Sequence, residues 1–484
     1  MSPVERFDLV VIGSGPAGEK GAAQAAYFGK RVCLIERAPK PGGAAVNTGT
    51  IPSKTLRETA LYFSGLRQRG LYGVDLSVKQ NITIADFMHR ERAVIESEWK
   101  LIEENIQKHG IATMQGSARF VDEHTIEVAR FGEETRHVTG DVILLATGSS
   151  PLAPVGFDVD GDIVVDSDTL LMLQNIPQSM IVVGGGVIGC EYACIFAALG
   201  VRVTVVNSRP RLLAHLDKDV SDVLRNSMTA RLGVSIHSNV DVTSVTVDEG
   251  RATVVLSDDM ALTADCVLVS TGRIGNSAEL DCEAVGIRTN ERGFVQVDAQ
   301  YRTAVPHIYA AGDIIGFPAL ASAAMEQARV AICNAFDLKY KRAVSNVMPY
   351  GVWTIPEIAT VGESETSLYQ RGVSYEIGCA SYRSNPRGQI LGDTDGFVKL
   401  IFNPEDQRVL GVTIVGENAC EMIHIGMTVM SFGGTLDYFI QSAFNFPALS
   451  DLYKYAAYDG LQRLAKRHGR TPGLPSLSRA VVPD

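Results

Sequence analysis

Two glycine-rich stretches, Gly13-Ser14-Gly15-Pro16-Ala17-Gly18 and Gly184-Gly185-Gly186-Val187-Ile188-Gly189, decide the fold of this chain. Each stretch follows a short apolar run and opens an alanine-rich run, an order that predicts strand, tight turn and helix. In that order the first glycine permits the turn, and the middle one, Gly15 or Gly186, lets a pyrophosphate approach the backbone. The last one, Gly18 or Gly189, allows close helix packing. The sequence therefore predicts two separate dinucleotide sites, each at the edge of a parallel α/β sheet.

The residues around the first stretch are typical of a site for an adenosine ribose. Residues 7–12 are apolar enough for a buried parallel strand, and residues 32–35 form a second apolar run that ends in Glu36. A carboxylate at the end of that second strand can accept hydrogen bonds from both ribose hydroxyls. The N–H groups and the dipole at the start of the helix would hold the phosphates. A glycine turn with a purely structural role is the alternative.

The second stretch differs at the position of that acid. Residues 201–206 form the corresponding apolar run, but it ends at Asn207, and Ser208, Arg209 and Arg211 follow. A carboxylate there would repel a 2′-phosphate, whereas an amide tolerates either ribose and a guanidinium can pair with the phosphate. We predict that the second site accepts both NADP(H) and NAD(H). The alternative is that both arginines are solvated side chains of a surface loop.

The composition limits the possible classes of function. The chain has 484 residues, of which 46% are hydrophobic and 20% charged, so it is globular and long enough for three domains. Its 44 basic and 55 acidic residues give a net charge of −11, which argues against a nucleic-acid or membrane partner. Residues 180–200 are apolar, but their glycines and Glu191 favour strand, turn and helix over a membrane span. Residues 1–6 lack the pattern of a secretory signal, and we predict a cytoplasmic protein.

The cysteines and histidines predict neither a disulfide scaffold nor a metal site. The eight cysteines include no Cys-x-x-Cys pair. Cys190 and Cys194 lie one turn apart on an apolar helix, where core packing is the expected role. The nine histidines form no ligand pair at helical spacing, and we expect no metal. We predict that His424, on a mixed apolar helix, is an interface residue rather than a catalytic one.

A repeated pattern of strand and turn divides the chain into regions. Residues 142–149 form an apolar strand that runs into a small-residue turn, and residues 266–273 repeat this plan. Another apolar strand, residues 308–311, ends in Gly312 and Asp313, where a carboxylate could bind a ribityl hydroxyl. The predicted domains are a first dinucleotide-binding domain split between residues 1–149 and 275–345, a second over residues 150–274, a domain of alternating strands and amphipathic helices over residues 346–470, and a loose tail over residues 471–484.

Five motifs give the chain a resemblance to the flavoprotein disulfide reductase family, of which dihydrolipoamide dehydrogenase is the familiar member. They are Gly49-Thr50-Ile51-Pro52-Ser53-Lys54, Gly189-Cys190-Glu191, Thr271-Gly272-Arg273-Ile274-Gly275-Asn276, Ala311-Gly312-Asp313 and Thr354-Ile355-Pro356-Glu357. The resemblance covers nearly the whole chain. It implies an α/β fold with two Rossmann-like dinucleotide-binding domains and a C-terminal α+β dimerisation domain. It further implies FAD in the first site, a nicotinamide nucleotide in the second, and a homodimer or larger homo-oligomer.

The chain departs from that family at its redox positions. The two cysteine positions hold Ala45 and Thr50, and the position of the catalytic histidine before a proline holds Phe446. With the thiols and their base replaced, dithiol exchange with lipoamide, glutathione or mercury is not expected. The chain instead resembles the flavin-dependent pyridine nucleotide transhydrogenases of the family, which share residues 49–54 and carry an aromatic in the histidine's place. Those relatives often retain the first cysteine, which is Ala45 here.

The resemblance implies hydride transfer from NADPH to NAD⁺ through the flavin, by ping-pong exchange at one nicotinamide site. It implies that Lys54 and Glu191 are the catalytic residues, paired near the flavin N5 with compensating charges. Two alternatives stay open. One is an NAD(P)H diaphorase that reduces a quinone, for which Ala45 leaves more room, and the other is a non-catalytic, nucleotide-sensing flavoprotein.

The resemblance also implies two sets of nucleotide-binding residues. The predicted contacts with FAD come from Gly13, Gly15, Pro16, Gly18, Glu36, Arg37, Ala45, Thr50, Lys54, Gly116, Thr147, Gly148, Gly312, Asp313, Leu320 and Ala321. The predicted contacts with the nicotinamide nucleotide come from Gly184, Gly186, Val187, Ile188, Gly189, Glu191, Asn207, Arg209, Gly272 and Arg273.

Overall fold

A computed structural model describes residues 4–65, 71, 82–130 and 132–467 of the chain. The predicted tail, residues 471–484, lies outside the described residues, as do residues 1–3. The chain forms two compact units. The first contains the described residues of Met1–Ser64, Lys79–Ser208 and Ile236–Ser345, and the second contains those of Gly65–Val78, Arg209–Ser235 and Asn346–Asp484.

The described residues form 22 strands and 12 α-helices. The strands are β1 (Glu5–Ile12), β2 (Val32–Glu36), β3 (Ala112–Gln115), β4 (Ser117–Phe120), β5 (Thr125–Ala129), β6 (Arg136–Leu145), β7 (Ser149–Pro151), β8 (Val164–Val165), β9 (Ser179–Val183), β10 (Arg202–Asn207), β11 (Ser235–Ser238), β12 (Val242–Asp248), β13 (Arg251–Leu256), β14 (Ala261–Ala264), β15 (Cys266–Val269), β16 (Arg273–Gly275), β17 (Ile308–Ala310), β18 (Tyr350–Val352), β19 (Ile358–Gly362), β20 (Glu376–Ser381), β21 (Phe397–Phe402) and β22 (Val409–Val415). The helices are α1 (Pro16–Tyr27), α2 (Gly43–Asn47), α3 (Thr50–Ser64), α4 (Ile84–Lys108), α5 (Val187–Ala198), α6 (Lys218–Asn226), α7 (Ala321–Ala335), α8 (Glu365–Gln370), α9 (Pro386–Leu391), α10 (Ala419–Ser431), α11 (Leu436–Gln441) and α12 (Leu452–Arg467).

A seven-stranded sheet carries the first glycine stretch. Its strands lie in the order β3-β2-β1-β6-β5-β4, with β17 pairing beside the C-terminal half of β6. β1 runs parallel to both β2 and β6. Successive residues of β1 point to opposite faces of the sheet: Val10 and Ile12 pack into one core cluster, and Leu9 and Val11 into another. Because both faces are covered, the strand is an unbroken apolar run, as the sequence predicts.

A five-stranded sheet in the order β11-β10-β9-β15-β8 carries the second glycine stretch. β9 is parallel to β10 and to β15, as β1 is to β2 and β6, so the predicted repeat of one plan is confirmed. Helix α5 follows the glycines, and Cys190 and Cys194 on it are fully buried, as the sequence predicts for core-packing residues. An antiparallel sheet of β12, β13 and β14 and the pair of β7 and β16 complete the strands of the first unit.

The second unit is built on an antiparallel sheet in the order β18-β19-β22-β21-β20. Helices α10, α11 and α12 contribute to the core cluster of this sheet, which includes Val398, Phe439 and Tyr453. Strands such as β21, and the helices after it, confirm the alternating strands and helices that the sequence predicts for this part of the chain. Together with the mixed seven-stranded sheet and the five-stranded sheet of the first unit, this arrangement confirms the predicted fold class.

Residues 209–235, which include α6, belong to the second unit, although their neighbours in sequence belong to the first. No pattern in the sequence indicated this. The predicted domain boundaries, including residues 150–274, stay predictions. Within the described residues, no helix combines the length and the apolar character needed to span a membrane.

Candidate nucleotide-binding and redox site

The first and last glycines of each stretch are required by the fold itself. Gly13 and Gly184 have φ angles of +101° and +118°, where a side chain is strained. A Cβ on Gly18 would lie 1.8 Å from the carbonyl oxygen of Gly13, and a Cβ on Gly189 would lie 2.1 Å from that of Gly184. These four glycines therefore allow the turn and the close approach of helix to strand, with or without a ligand.

The middle glycines, Gly15 and Gly186, are not explained by the fold. Their φ angles of −65° and −82° suit any residue. A Cβ on Gly186 would meet nothing within 4 Å, and one on Gly15 would meet only the Cα of Gly43, at 3.8 Å. Each residue precedes a helix that has no side-chain cap. The open space at an uncapped helix N-terminus suits an anion such as a pyrophosphate.

Glu36 and Asn207 occupy equivalent places at the ends of β2 and β10. The Glu36 carboxylate accepts hydrogen bonds from the Ser14 N–H at 2.9 Å and the Ser14 hydroxyl at 2.6 Å. The Asn207 side-chain oxygen accepts one from the Gly185 N–H at 3.3 Å. Each side chain thus holds the residue after the first glycine of its stretch. The two sites differ by one unit of charge at this place, because one side chain is an acid and the other an amide.

Lys54 and Glu191 come together although 137 positions separate them. The Lys54 Nζ lies 2.7 Å from the Glu191 Oε2 and donates a second hydrogen bond to the Ser53 hydroxyl at 3.1 Å. Helix α3 carries the lysine and helix α5 the glutamate. The glutamate side chain is only 4% exposed and the lysine 25%. A buried carboxylate needs such a counter-charge, so the pair is interdependent.

Hydrogen bonds hold α2, which lies in the segment where members of the flavoprotein disulfide reductase family carry their redox cysteines. Asn47 donates to the carbonyls of Pro41 at 3.1 Å and Gly43 at 2.9 Å, and it accepts a hydrogen bond from the Trp99 indole at 2.8 Å. Ala45 is half-buried and Thr50 is exposed. The amide of Asn47 therefore ties α2 to its surroundings without a covalent cross-link. Asn47 is not among the site residues that the sequence predicts.

The eight cysteines of the chain are all reduced, and seven of them are buried. Burial raises the pKa of Cys33 and of Cys266 to about 12. Burial also raises the pKa of Cys282 to about 11, with the Asp281 carboxylate adding to the shift. The thiolate is the reactive form of cysteine, so these side chains are inert at neutral pH.

Arg273, Ser149 and Asp313 form a continuous polar chain. The Arg273 guanidinium donates to the Ser149 hydroxyl at 2.7 Å and to the Ser149 carbonyl at 2.6 Å. The Ser149 hydroxyl donates to the Asp313 carboxylate at 3.0 Å. The family resemblance implies that Arg273 contacts the nicotinamide nucleotide and Asp313 contacts FAD, and it gives no role to Ser149. The structure joins all three through Ser149, the first residue of β7.

A half-buried carboxyl group, Asp168, was not predicted either. Burial raises its pKa, and the nearby Arg273 guanidinium and a hydrogen bond from Thr48 oppose that rise. Thr48 lies between the two positions that Ala45 and Thr50 occupy. No local sequence signal marks Asp168, because its partners Arg273 and Thr48 lie on distant segments of the chain.

The other predicted FAD-binding residues lie at element ends. Gly116, between β3 and β4, donates its N–H to the carbonyl of Glu36 at 2.9 Å. Leu320 and Ala321 begin α7, and the N–H of Gly312 donates to the Gln327 side chain at 2.9 Å. These residues lie in the first unit, as do Pro16, Arg37, Thr147, Gly148, Val187, Ile188 and Gly272.

Arg209 and His424 lie in the second unit. Arg209 is exposed, and Arg211 is half-buried. His424 is exposed on α10, and its predicted role at an interface stays a prediction.

A buried ionic cluster in the second unit was not predicted. The Lys399 Nζ lies 3.0 Å from the Asp217 Oδ2, 2.8 Å from the Asp219 Oδ2 and 2.7 Å from the Glu365 Oε1, and the lysine side chain is fully buried. We call these four residues the Lys399 cluster. The three carboxylates are close enough together to resemble a metal site, but the ammonium already contacts each of them.

The charges of the Lys399 cluster stabilise one another. Burial lowers the pKa of Lys399, but the carboxylates of Asp219, Glu365 and Asp217 outweigh it and raise that pKa above its usual range. Burial raises the pKa of Asp217, but the Lys399 ammonium and the N–H groups of Glu365 and Thr366 bring it below its usual range. Lys399 and Asp217 are therefore both ionised at neutral pH.

Two dinucleotide-type glycine turns in one chain, with a lysine-glutamate pair that joins α3 to the helix after the second turn, define a class of two-nucleotide oxidoreductases. The chain belongs to the pyridine nucleotide-disulphide oxidoreductase family. Residues 7–328 match the model of that family, and residues 348–457 match the model of its dimerisation domain. The family resemblance that the motifs predict is thus confirmed.

Individual relatives agree with this assignment. The chain is 43% identical to the soluble pyridine nucleotide transhydrogenase of Mycobacterium bovis (strain BCG / Pasteur 1173P2), over 95% of this chain and 98% of the relative. It is 38% identical to the protein of that name from Klebsiella pneumoniae, with the same coverage. Among solved structures, LpdA from Mycobacterium tuberculosis has a TM-score of 0.87 at 29% identity, over 94% of this chain and 99% of that one. The HOCl-induced flavoprotein disulfide reductase RclA from Escherichia coli has a TM-score of 0.83 at 28% identity, over 92% and 99%.

Proposed function

We propose that the protein transfers hydride between NADPH and NAD⁺, in either direction, by ping-pong exchange of the two nucleotides at one nicotinamide site. The proposal rests on one structural observation. The middle glycines Gly15 and Gly186 leave open space at the uncapped N-termini of α1 and α5 that the fold does not require, and we call these spaces the first and the second cradle. Ala45 and Thr50 stand at the redox positions, so no dithiol lies between these cradles and a substrate. The relatives named soluble pyridine nucleotide transhydrogenase support the same reaction.

The residues of the first cradle fit FAD. The uncapped N-terminus of α1 would hold the pyrophosphate, Glu36 the adenosine ribose, and Asp313 the ribityl chain. Ser149 and Arg273 orient the Asp313 carboxylate through their hydrogen bonds. When bound, FAD would supply a store for two electrons, which can accept a hydride from one nicotinamide and return it to another.

The chain's own residues have three tasks in this reaction. The N-terminus of α5 would bind the nicotinamide nucleotide's pyrophosphate, and the neutral Asn207 admits both kinds of ribose. Lys54 would hold a positive charge beside the reacting rings, while Glu191 fixes its ammonium in place. Because hydride exchange between two nicotinamides has no net proton requirement, orientation of the rings at about 3–3.5 Å matters more than acid-base strength.

The proposed setting is a cytoplasmic homodimer. A domain described as the family's dimerisation domain supports self-association, and the word soluble in the names of the relatives supports the location.

A spectroscopic titration of the anaerobic holoprotein tests the proposed reaction. We expect NADPH to bleach the flavin absorbance and NAD⁺ to restore it, which separates the two half-reactions. Turnover with thio-NAD⁺ should exceed turnover with a panel of quinones, and lipoamide or glutathione disulfide should give none. A colourless preparation, or robust disulfide reduction, would contradict the proposal. Faster turnover with quinones would favour the diaphorase alternative, and a flavin that NADPH never bleaches would favour the nucleotide sensor.

Arg209→Ala is expected to separate the two coenzymes. A guanidinium that pairs with the 2′-phosphate contributes about 1.5–3 kcal/mol, so the KM for NADPH should rise about 10- to 100-fold. The KM for NADH should change less than about twofold, because NADH lacks that phosphate and so forms no pair. Steady-state kinetics with each coenzyme measure both values. The matched control is Arg202→Ala, which removes the exposed arginine at the start of β10. Equal effects of Arg209→Ala on the two coenzymes would show that Arg209 is a solvated surface residue.

A further inference from the structure

We propose that Asn47 is a positioning residue for the ligand of the first cradle, because its side-chain amide fixes a glycine turn that borders this cradle. We call Pro41, Gly42 and Gly43 the Gly42 turn. The inference rests on the proposed function, since it concerns how the protein retains FAD. Asn47 would act through the turn rather than through contact with the cofactor.

The Gly42 turn lies against the first glycine stretch, within the first unit. The Gly42 N–H donates to both the carbonyl and the hydroxyl of Ser14, each at 3.2 Å. A Cβ on Gly15 would lie 3.8 Å from the Cα of Gly43, and a Cβ on Gly43 would lie only 2.8 Å from the Cα of Gly15. The turn therefore borders the open space beside Gly15.

The Gly42 turn cannot become rigid through larger side chains of its own. Gly42 and Gly43 have φ angles of +106° and +55°, in the left-handed region that favours glycine. A Cβ on Gly42 would also lie 2.7 Å from that of Val46. Glycine loses more conformational freedom on folding than any other residue. A pair of glycines therefore needs contacts from outside the turn to stay in one conformation.

Asn47 supplies those contacts. Its amide donates to the carbonyls of Pro41 at 3.1 Å and Gly43 at 2.9 Å, so one NH₂ group holds the carbonyl on each side of Gly42. The side-chain oxygen of Asn47 accepts a hydrogen bond from the Trp99 indole at 2.8 Å. Trp99 lies on α4, a helix of 25 residues. The amide thus ties the turn to a long helix of the same unit.

An ordered Gly42 turn should slow the release of a bound ligand. A turn that is already held in one conformation loses little further conformational entropy when the ligand binds, so the contacts with the ligand keep more of their free energy. Changes at a binding surface mostly alter the rate of dissociation rather than the rate of association. Without the Asn47 amide, FAD should therefore leave the first cradle faster.

A purely structural role of Asn47 makes a different prediction. If the amide only stabilised the fold, its removal would lower the melting temperature and affect FAD release no more than the loss of a comparable asparagine elsewhere. If the amide positions the turn, its removal would speed FAD release beyond that level. Trp99 would act through Asn47 alone, so removing both side chains should add nothing to the effect of removing Asn47.

The experiment follows FAD release from the full-length holoenzyme after dilution, by ultrafiltration of timed samples and flavin fluorescence, together with thermal unfolding. Asn47→Ala removes all three hydrogen bonds. Trp99→Phe removes only the bond to α4, so it keeps the test open if Asn47→Ala does not fold. The matched control is Asn385→Ala, because Asn385 of the second unit also makes three side-chain hydrogen bonds.

We expect FAD release to be about 10- to 100-fold faster than in wild type in Asn47→Ala, and about three- to tenfold faster in Trp99→Phe. The double variant should release FAD as fast as Asn47→Ala. Asn385→Ala should lower the melting temperature and leave the release rate within about twofold of wild type.

Release at the wild-type rate in Asn47→Ala, or in Trp99→Phe if the first variant does not fold, would overturn the inference. Equal acceleration in Asn385→Ala, or a full additional effect in the double variant, would overturn it as well. A wild-type preparation that holds no FAD would instead reject the proposed function. If wild type retains FAD and is reduced by NADPH, an unchanged release rate in the variants rejects the positioning role only.

Discussion

Lys54→Met should slow the reduction of the bound flavin by NADPH at least about 100-fold, the usual effect of removing one preorganised charged donor from a reacting centre. The variant leaves Glu191, whose side chain is 4% exposed, without its ammonium partner at 2.7 Å. An uncompensated carboxylate then opposes the approach of negative charge to the site. Stopped-flow recording of flavin bleaching under anaerobic conditions measures the rate directly.

Two further variants separate a local role of Lys54 from a general loss of charge. Lys40→Met removes a lysine whose ion pair with Glu103 is half exposed, and it should leave the bleaching rate unchanged. The double variant Lys54→Met/Glu191→Gln removes both charges and should retain the flavin better than Lys54→Met alone. A Lys54→Met protein that bleaches at the wild-type rate would remove this lysine from the proposed site.

Lys399→Met should lower the free energy of unfolding by about 3–5 kcal/mol, because it leaves three clustered carboxylates without their buried counter-charge. The Lys399 ammonium is fully buried and contacts all three carboxylates within 3.0 Å. Chemical denaturation at neutral pH measures the loss. Arg463→Met, at a partly exposed pair, should cost less than about 1 kcal/mol. Similar losses in the two variants would show that the cluster contributes no more than a surface ion pair.

The loss of unfolding free energy in Lys399→Met depends on pH with a definite sign. The folded protein lowers the pKa of Asp217, so its contribution is present above the unfolded value, about 4, and is lost as the pH falls through the folded value. The folded protein raises the pKa of Lys399, so that contribution is present below about 10.4 and is lost only as the pH rises through the higher folded value. The advantage of wild type over Lys399→Met should therefore be greatest near neutral pH and shrink below about pH 4. A difference that is constant from pH 7 to pH 3 would contradict this account.

Several features of the nucleotide sites could be predicted because they depend on short-range rules. A tight turn between strand and helix demands glycine at Gly13 and Gly184, and the end of the next strand places Glu36 and Asn207 beside that turn. These relations span about 20 residues and follow from the geometry of one strand-turn-helix-strand unit. The presence of Ala45 in place of a thiol is likewise a matter of covalent chemistry, which no folding can alter.

Other features could not be predicted because their members are far apart in the chain. Lys399 lies 182 positions from Asp217 and 34 from Glu365, and nothing near any of these residues marks it as one of a cluster. The same holds for Ser149, which is 124 positions from Arg273 and 164 from Asp313. Serines and lysines are mostly exposed in proteins, so residue type alone gives neither Ser149 nor Lys399 a buried role.

The amino-acid sequence by itself determined the number of dinucleotide-type glycine turns, the charge of the residue at the end of the next strand in each unit, and the absence of cysteine at Ala45 and Thr50. The family resemblance implied that Lys54 pairs with Glu191, and the two side chains meet in the structure. Only the tertiary structure decided that Arg273 reaches Asp313 through Ser149 and that residues 209–217 belong to the second unit. The physical reason is that backbone turns and strand ends obey rules within one supersecondary unit. Buried charges are paired by whatever the packing of distant segments brings within about 3 Å.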